Sequence, residues 1–371
     1  MDERPADDLI AVLPPLLGAL EALGFVARYL HPPDLSRVLE AIGAPEKPLL
    51  EALKALGEWP DELSALRGAL AMASAQALSA FEGLRAAAEA DGEVGQVYRA
   101  LRGLPRAQEA LYPFAAGIGP VSRFFLDPAV RADTALAAKL DGVAGRDDTG
   151  VMHVGEPGAH GGVSLYVPEY YDAAQSWPLV VALHGGSGNG RAFLWSWLRD
   201  ARSHGAILAA PTAIGNTWAL QGADPDTPNL ARIVDAVRGR WTIDPRRILL
   251  TGMSDGGTFS YVSGLEAGSP FTHLAPVSAA FHPMLAQMAD AGRIAGLPIH
   301  VAHGALDWMF PVEMARGASQ ALSAAGAAVT YVELPDLSHT YPRELNPQIL
   351  GWLARTAGES LIRPQHENRA R

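Results

Sequence analysis

Cysteine is absent from the chain. Its absence excludes disulfides, thiolate nucleophiles and cysteine-based zinc sites. Positive charge is the minority sign: 29 Lys and Arg stand against 40 Asp and Glu, for a formal net charge of −11. No basic stripe offsets that balance, which argues against nucleic acid or an anionic membrane patch as partner. The opening residues, MDERPADD, are acidic where a secretory leader would be basic and then apolar. They predict a cytoplasmic protein. Uninterrupted apolar runs of about 18 residues are also lacking, so no membrane span is expected. The nearest candidate, GALAMASAQALSAF, holds Ser and Gln, is flanked by Arg67 and Glu82, and reads as a soluble helix. What the chain does have is a hydrophobic content of 49% over 371 residues, enough for one large packed domain or two ordinary ones.

Composition changes near residue 145. Before it Ala, Leu, Glu and Arg dominate and β-branched residues are scarce. Asp34 stands where it could cap LSRVLEAI, with Gly43 just past the end. Pro60 opens a long segment closed by Gly92, in which Leu63, Leu66, Leu70, Ala73, Ala77, Phe81 and Leu84 recur at three- and four-residue steps. That spacing predicts an amphipathic helix. Residues 1–140 are therefore expected to form an all-helical N-terminal domain, serving as a cap or an assembly module. Residues 141–150, DGVAGRDDTG, read as a linker.

From residue 151 onward the pattern is strand, helix, strand. VMHV and GVSLYVP flank GEPGAHG as a hairpin. The apolar runs LVVALHG, AILAAPT, RRILLTG, HLAPVSAA, LPIHVAHG and VTYVELP follow, separated by helical stretches such as NLARIVDAVRGRW. Continuous apolar strands between helices imply an α/β domain over 151–371, with a mostly parallel sheet covered by helices on both faces. Chemistry in such sheets sits beyond the carboxyl ends of the strands.

Ser254 lies at such an end. Gly252-Met-Ser254-Asp255-Gly256 follows the RRILL strand and precedes a helical stretch, which fits the strand-to-helix turn of a nucleophilic serine. His184-Gly185-Gly186-Ser-Gly follows the LVVAL strand. Its backbone N–H groups suit an oxyanion hole, assigned to Gly186 and Asp255, with Gly185 as the nearest alternative. His184 itself is expected to shape the loop. Asp307 follows another strand and is the expected acid, with Asp336 as its rival and helix capping as its ordinary alternative. His339, in the loop after the last apolar run, is the expected base. Gly185, Trp218 and Trp308 are candidate substrate-binding residues, the two indoles as pocket walls, whereas Trp195 and Trp197 read as core. His300 and His303, three apart on a strand, face opposite sides. No metal or organic cofactor is expected.

The segment from about 150 to 356 resembles the α/β-hydrolase superfamily. LHGGSGNG, GMSDGG, HGALDWMFPV and SHTYP in that order are similar to the phospholipase/carboxylesterase group and to feruloyl esterase and polyhydroxybutyrate depolymerase-like enzymes. The resemblance implies a Ser254–Asp307–His339 triad and hydrolysis of a small ester. Its partner would be the ester substrate. A thioesterase or peptidase with the same triad, and a non-catalytic binding scaffold, are the alternatives. Oligomeric state stays open, homo-oligomers included.

Overall fold

Leucine and alanine at helical spacing build the first of two units into which the computed structural model divides. That unit comprises Met1–Asp147 together with two short segments, Gly304–Met309 and Pro335–Tyr341. The second comprises Asp148–His303, Phe310–Leu334 and Pro342–Arg371. The structure describes residues 4–89, 94–141, 143 and 145–359.

The helices of the first unit are α1 (Arg4–Tyr29), α2 (Leu35–Ile42), α3 (Glu46–Lys54), α4 (Ser64–Glu89), α5 (Val94–Leu101), α6 (Gly103–Leu111), α7 (Gly119–Phe124) and α8 (Thr134–Leu140). Leu70, Ala73, Ala77, Phe81 and Leu84 of α4 are buried as their spacing predicts. Leu63 is not: it ends a 3-10 turn before the helix and is exposed. Gly103 lets α6 lie against α4, since a Cβ there would sit 2.5 Å from the Gln76 carbonyl oxygen. Asp34 occupies the N-cap position of α2 without a side-chain capping bond, and Gly43 ends that helix at φ 67°. Gly92 lies outside the described residues. Among the described residues, the helix with the length and apolarity to cross a bilayer is α1 rather than α4. Here α1 packs on α2, α3, α4 and α6, burying Val12, Leu16, Leu20 and Leu23.

An eight-stranded sheet forms the frame of the α/β part. Its strands are β1 (Gly150–Val154), β2 (Val163–Val167), β3 (Trp177–Leu183), β4 (Ile207–Pro211), β5 (Ile243–Met253), β6 (His273–Val277), β7 (Pro298–Gly304) and β8 (Ala328–Leu334). Their spatial order is β1-β2-β4-β3-β5-β6-β7-β8. The β1–β2 hairpin is antiparallel and joins β4 antiparallel, while β4, β3, β5, β6 and β7 pair in parallel. The connecting helices are α9 (Gly190–Phe193), α10 (Leu198–His204), α11 (Asp226–Arg240), α12 (Asp255–Gly264), α13 (Met284–Met288), α14 (Ala291–Ile294), α15 (Val312–Ala324) and α16 (Asn346–Glu359). Leu179, Val181 and Leu183 of β3 join one apolar cluster with Leu230 and Val234 of α11 and Phe259 of α12. Val180 and Ala182, which point the opposite way, are equally buried. Both faces of the central strands are thus covered, which is why these strands read as continuous apolar runs rather than alternating ones.

Candidate active site

Ser254 joins β5 to α12 with φ 56° and ψ −119°. A serine at positive φ is strained by about 1–3 kcal/mol, so its surroundings must hold it there. Its N–H donates to the Val277 carbonyl at 3.0 Å, and its own carbonyl accepts from the Thr258 N–H at 2.8 Å. The flanking glycines are dictated by backbone. A Cβ on Gly252 would lie 2.5 Å from the Gly256 carbonyl carbon, and one on Gly256 would lie 2.5 Å from the carbonyl oxygens of both Leu183 and His184. Any side chain at either position would push the turn off β3 or off its own helix.

The glycine loop after β3 runs against this turn. A Cβ on Gly185 would be 3.5 Å from the Ser254 Cβ, and one on Gly186 would be 2.9 Å from Asp255 Oδ2. Asp255 also accepts from Thr217 Oγ1 at 2.6 Å, a partner the sequence does not advertise. His184 shapes the loop. Its Nδ1 donates to the Gly185 carbonyl at 2.7 Å, and its Nε2 accepts from the Ala213 N–H at 3.1 Å. An imidazole that both donates and accepts is neutral, and burial pushes its pKa below the ordinary value. Trp218, expected as a pocket wall, is instead a strut beneath the loop. It is 2% exposed, stacks on Phe259 and donates its indole N–H to the His184 carbonyl at 2.7 Å. Trp195 and Trp197 are buried core residues.

In the other unit, the loops after β7 and β8 bring Asp307 and His339 together. His339 Nδ1 lies 3.0 and 2.9 Å from the two carboxylate oxygens of Asp307, with both residues buried. Asp307 Oδ1 also accepts from the Met309 N–H at 3.0 Å. The two loops are tied by the Leu306 N–H donating to the Leu337 carbonyl at 2.9 Å. Gly304 makes that approach possible, since a Cβ on it would fall 2.2 Å from the same Leu337 oxygen. Asp336, the rival acid, is half-exposed and ion-paired to Arg28 at 3.0 Å. Trp308 is 45% exposed, with its ring 6.3 Å from that of His339. Tyr98 of α5, which no motif signals, donates to the His339 carbonyl at 3.0 Å. Burial, then the charge of Asp307, pushes its phenol up to about 12.

Topology adds one relation. Because β5, β6 and β7 run parallel, their carboxyl ends share one edge of the sheet. Ser254 follows β5 directly, at that edge. His300 and His303 are buried on β7 itself; His300 packs edge-on to Trp352, and His303 Nε2 is 2.8 Å from the Phe310 carbonyl.

A mostly parallel sheet whose central strand delivers a serine through a strained turn into a helix is the architecture of an α/β-hydrolase. Residues 220–354 match the family model described as phospholipase/carboxylesterase. A bifunctional acetylxylan esterase/xylanase of Neocallimastix patriciarum is 29% identical over 167 residues, which is 44% of this chain and 24% of that protein. The chain thus spans about a quarter of the length of that curated relative. Among solved structures, a thermostable esterase aligns at 24% identity and TM-score 0.41 over 58% of this chain and 62% of its own. A truncated carbohydrate esterase from gut microbiota aligns at 14% identity and TM-score 0.46 over 57% and 99%.

Proposed function

We propose that the protein is a serine carboxylic-ester hydrolase working through Ser254, His339 and Asp307. The single observation that carries this is the backbone of Ser254, held at φ 56° between glycines that admit no side chain. Strain of that kind persists where a surrounding structure enforces it, and it is concentrated at functional sites. The buried contact between Asp307 and His339 Nδ1 supplies the second half of the chemistry.

In this mechanism Ser254 Oγ attacks the acyl carbonyl carbon while His339 Nε2 takes its proton. A C–O bond forms and the carbonyl electron pair moves onto oxygen. The N–H groups of Gly186 and Asp255 receive that oxyanion, each contributing about 3 kcal/mol to the barrier. Collapse expels the alcohol, which takes the proton from His339. Water, deprotonated by the same imidazole, then releases the acid and restores Ser254. Asp307 holds the tautomer with hydrogen on Nδ1 and stabilises the imidazolium.

Substrates are short- to medium-chain acyl or aromatic esters. Exposed Trp308 beside His339 supports an apolar or aromatic substituent. The acetylxylan esterase named in the similar protein supports the short end of the acyl range. The test is Ser254→Ala on p-nitrophenyl acetate and butyrate, with a fluorophosphonate probe as a second readout. Turnover should drop at least a thousandfold and labelling should vanish, while the far-ultraviolet circular dichroism stays unchanged. A folded Ser254→Ala protein that still turns over these esters removes the mechanism.

A further inference from the structure

We infer that Tyr98 of α5 and the Arg28 carbonyl at the end of α1 are positioning groups for the loop that carries His339. The N-terminal helices would then be part of the catalytic machinery rather than an appended cap or assembly module. The inference rests on His339 being the base.

The segment Pro335–Tyr341 contains neither helix nor strand, so its backbone and side chains must find partners outside regular structure. Leu306 of the neighbouring loop supplies some of those partners, and the others lie on α1, on α5 and just after α1. Tyr98 Oη donates to the His339 carbonyl at 3.0 Å, and Thr340 Oγ1 donates to the Arg28 carbonyl at 3.0 Å. The Arg28 guanidinium pairs with Asp336 at 3.0 Å, and His31 Nδ1 lies 3.0 Å from Ser338 Oγ. Residues 336, 338, 339 and 340 are therefore each fastened to residue 28, 31 or 98. Ser338, His339 and Thr340 are buried, so water cannot substitute freely at these bonds. The Tyr98 bond acts on the backbone of His339 itself. The phenol, buried and close to the Asp307 charge, keeps its proton and remains a donor at any pH where the enzyme would work.

Positioning is worth rate. A displacement of about 1 Å in a reacting group costs on the order of a hundredfold. The surface between the helices and this loop is thus where loss of one hydroxyl should reach the chemical step without touching substrate.

Tyr98→Phe keeps the ring and removes only the donor. Thr340→Val removes the second hydroxyl, and Thr340→Ser restores it. We expect Tyr98→Phe and Thr340→Val each to lower kcat by about tenfold or more with KM within about twofold, and Thr340→Ser to recover most of the loss. The low-field proton resonance of His339 Nδ1–H should shift or broaden in the first two variants and return in the third. If kcat and that resonance match the wild type in both Tyr98→Phe and Thr340→Val, while His339→Ala is inactive, the positioning role is wrong and the mechanism stands. If His339→Ala itself retains turnover, the base assignment fails and the inference falls with it.

Discussion

Gly256 leaves no space for even a methyl group, with carbonyl oxygens of Leu183 and His184 on the side where one would grow. Gly256→Ala should therefore lower stability by about 1–3 kcal/mol, as overpacking typically does, and suppress fluorophosphonate labelling of Ser254. A thermal melt and a labelling gel read both effects; an unchanged pair would show that the turn can relax. The two acids separate equally cleanly. Asp307→Asn should reduce kcat by about 10⁴-fold through loss of the proper tautomer. Asp336→Asn, which weakens one fastening of the loop, the Arg28 ion pair, should change it far less. Steady-state kinetics on one ester distinguishes them, and the reverse ranking would reassign the acid. At this scale the serine turn was legible because its glycines answer to backbone contacts, which are local. Asp307 was preferred to Asp336 from its place after an apolar strand, yet both follow strands and only the fold shows which one meets Nδ1. Trp218 was illegible for a similar reason: an indole in a loop reads the same whether it lines a pocket or props up the loop from below.

Among elements, the strands were the most legible. Runs such as LVVAL and ILAAP match β3 and β4 because burial on both faces selects continuous apolar sequence. Their spatial order was not, because β4 inserts between β2 and β3 through pairings that no local pattern encodes. In α4 the apolar spacing located the buried face, yet the 3-10 turn at Asp61–Leu63 shifted where the helix starts. The close approach of α6 to α4 at Gly103 was visible only in three dimensions. Gly103→Val should force those helices apart against the Gln76 carbonyl. We expect an apparent Tm lower by roughly 2–10 °C, from a cost of about 1–3 kcal/mol, measurable by calorimetry; an unchanged Tm would mean that α6 shifts without penalty.

For the whole molecule, buried histidines set an acid limit. Burial holds His184, His273 and His300 below their ordinary pKa, His273 down to about 4. Each is neutral when folded and takes a proton more readily when unfolded. Their contribution is full above about pH 6.5 and declines as pH falls below it; for His273, lost as pH falls toward 4, it amounts to up to about 3 kcal/mol. The urea midpoint should thus fall between pH 7.5 and 5, and His273→Gln should flatten the slope. A midpoint independent of pH over that window would contradict the burial of these rings. The make-up of the first unit has a further consequence, in time rather than space. Its helices precede the sheet in the chain, but its two remaining segments come much later: Gly304–Met309 at the end of β7 and Pro335–Tyr341 after β8. The helices must wait for segments made after most of the sheet before their contacts are complete. Such long sequence separation slows folding and leaves apolar helical surface in the care of chaperones during synthesis.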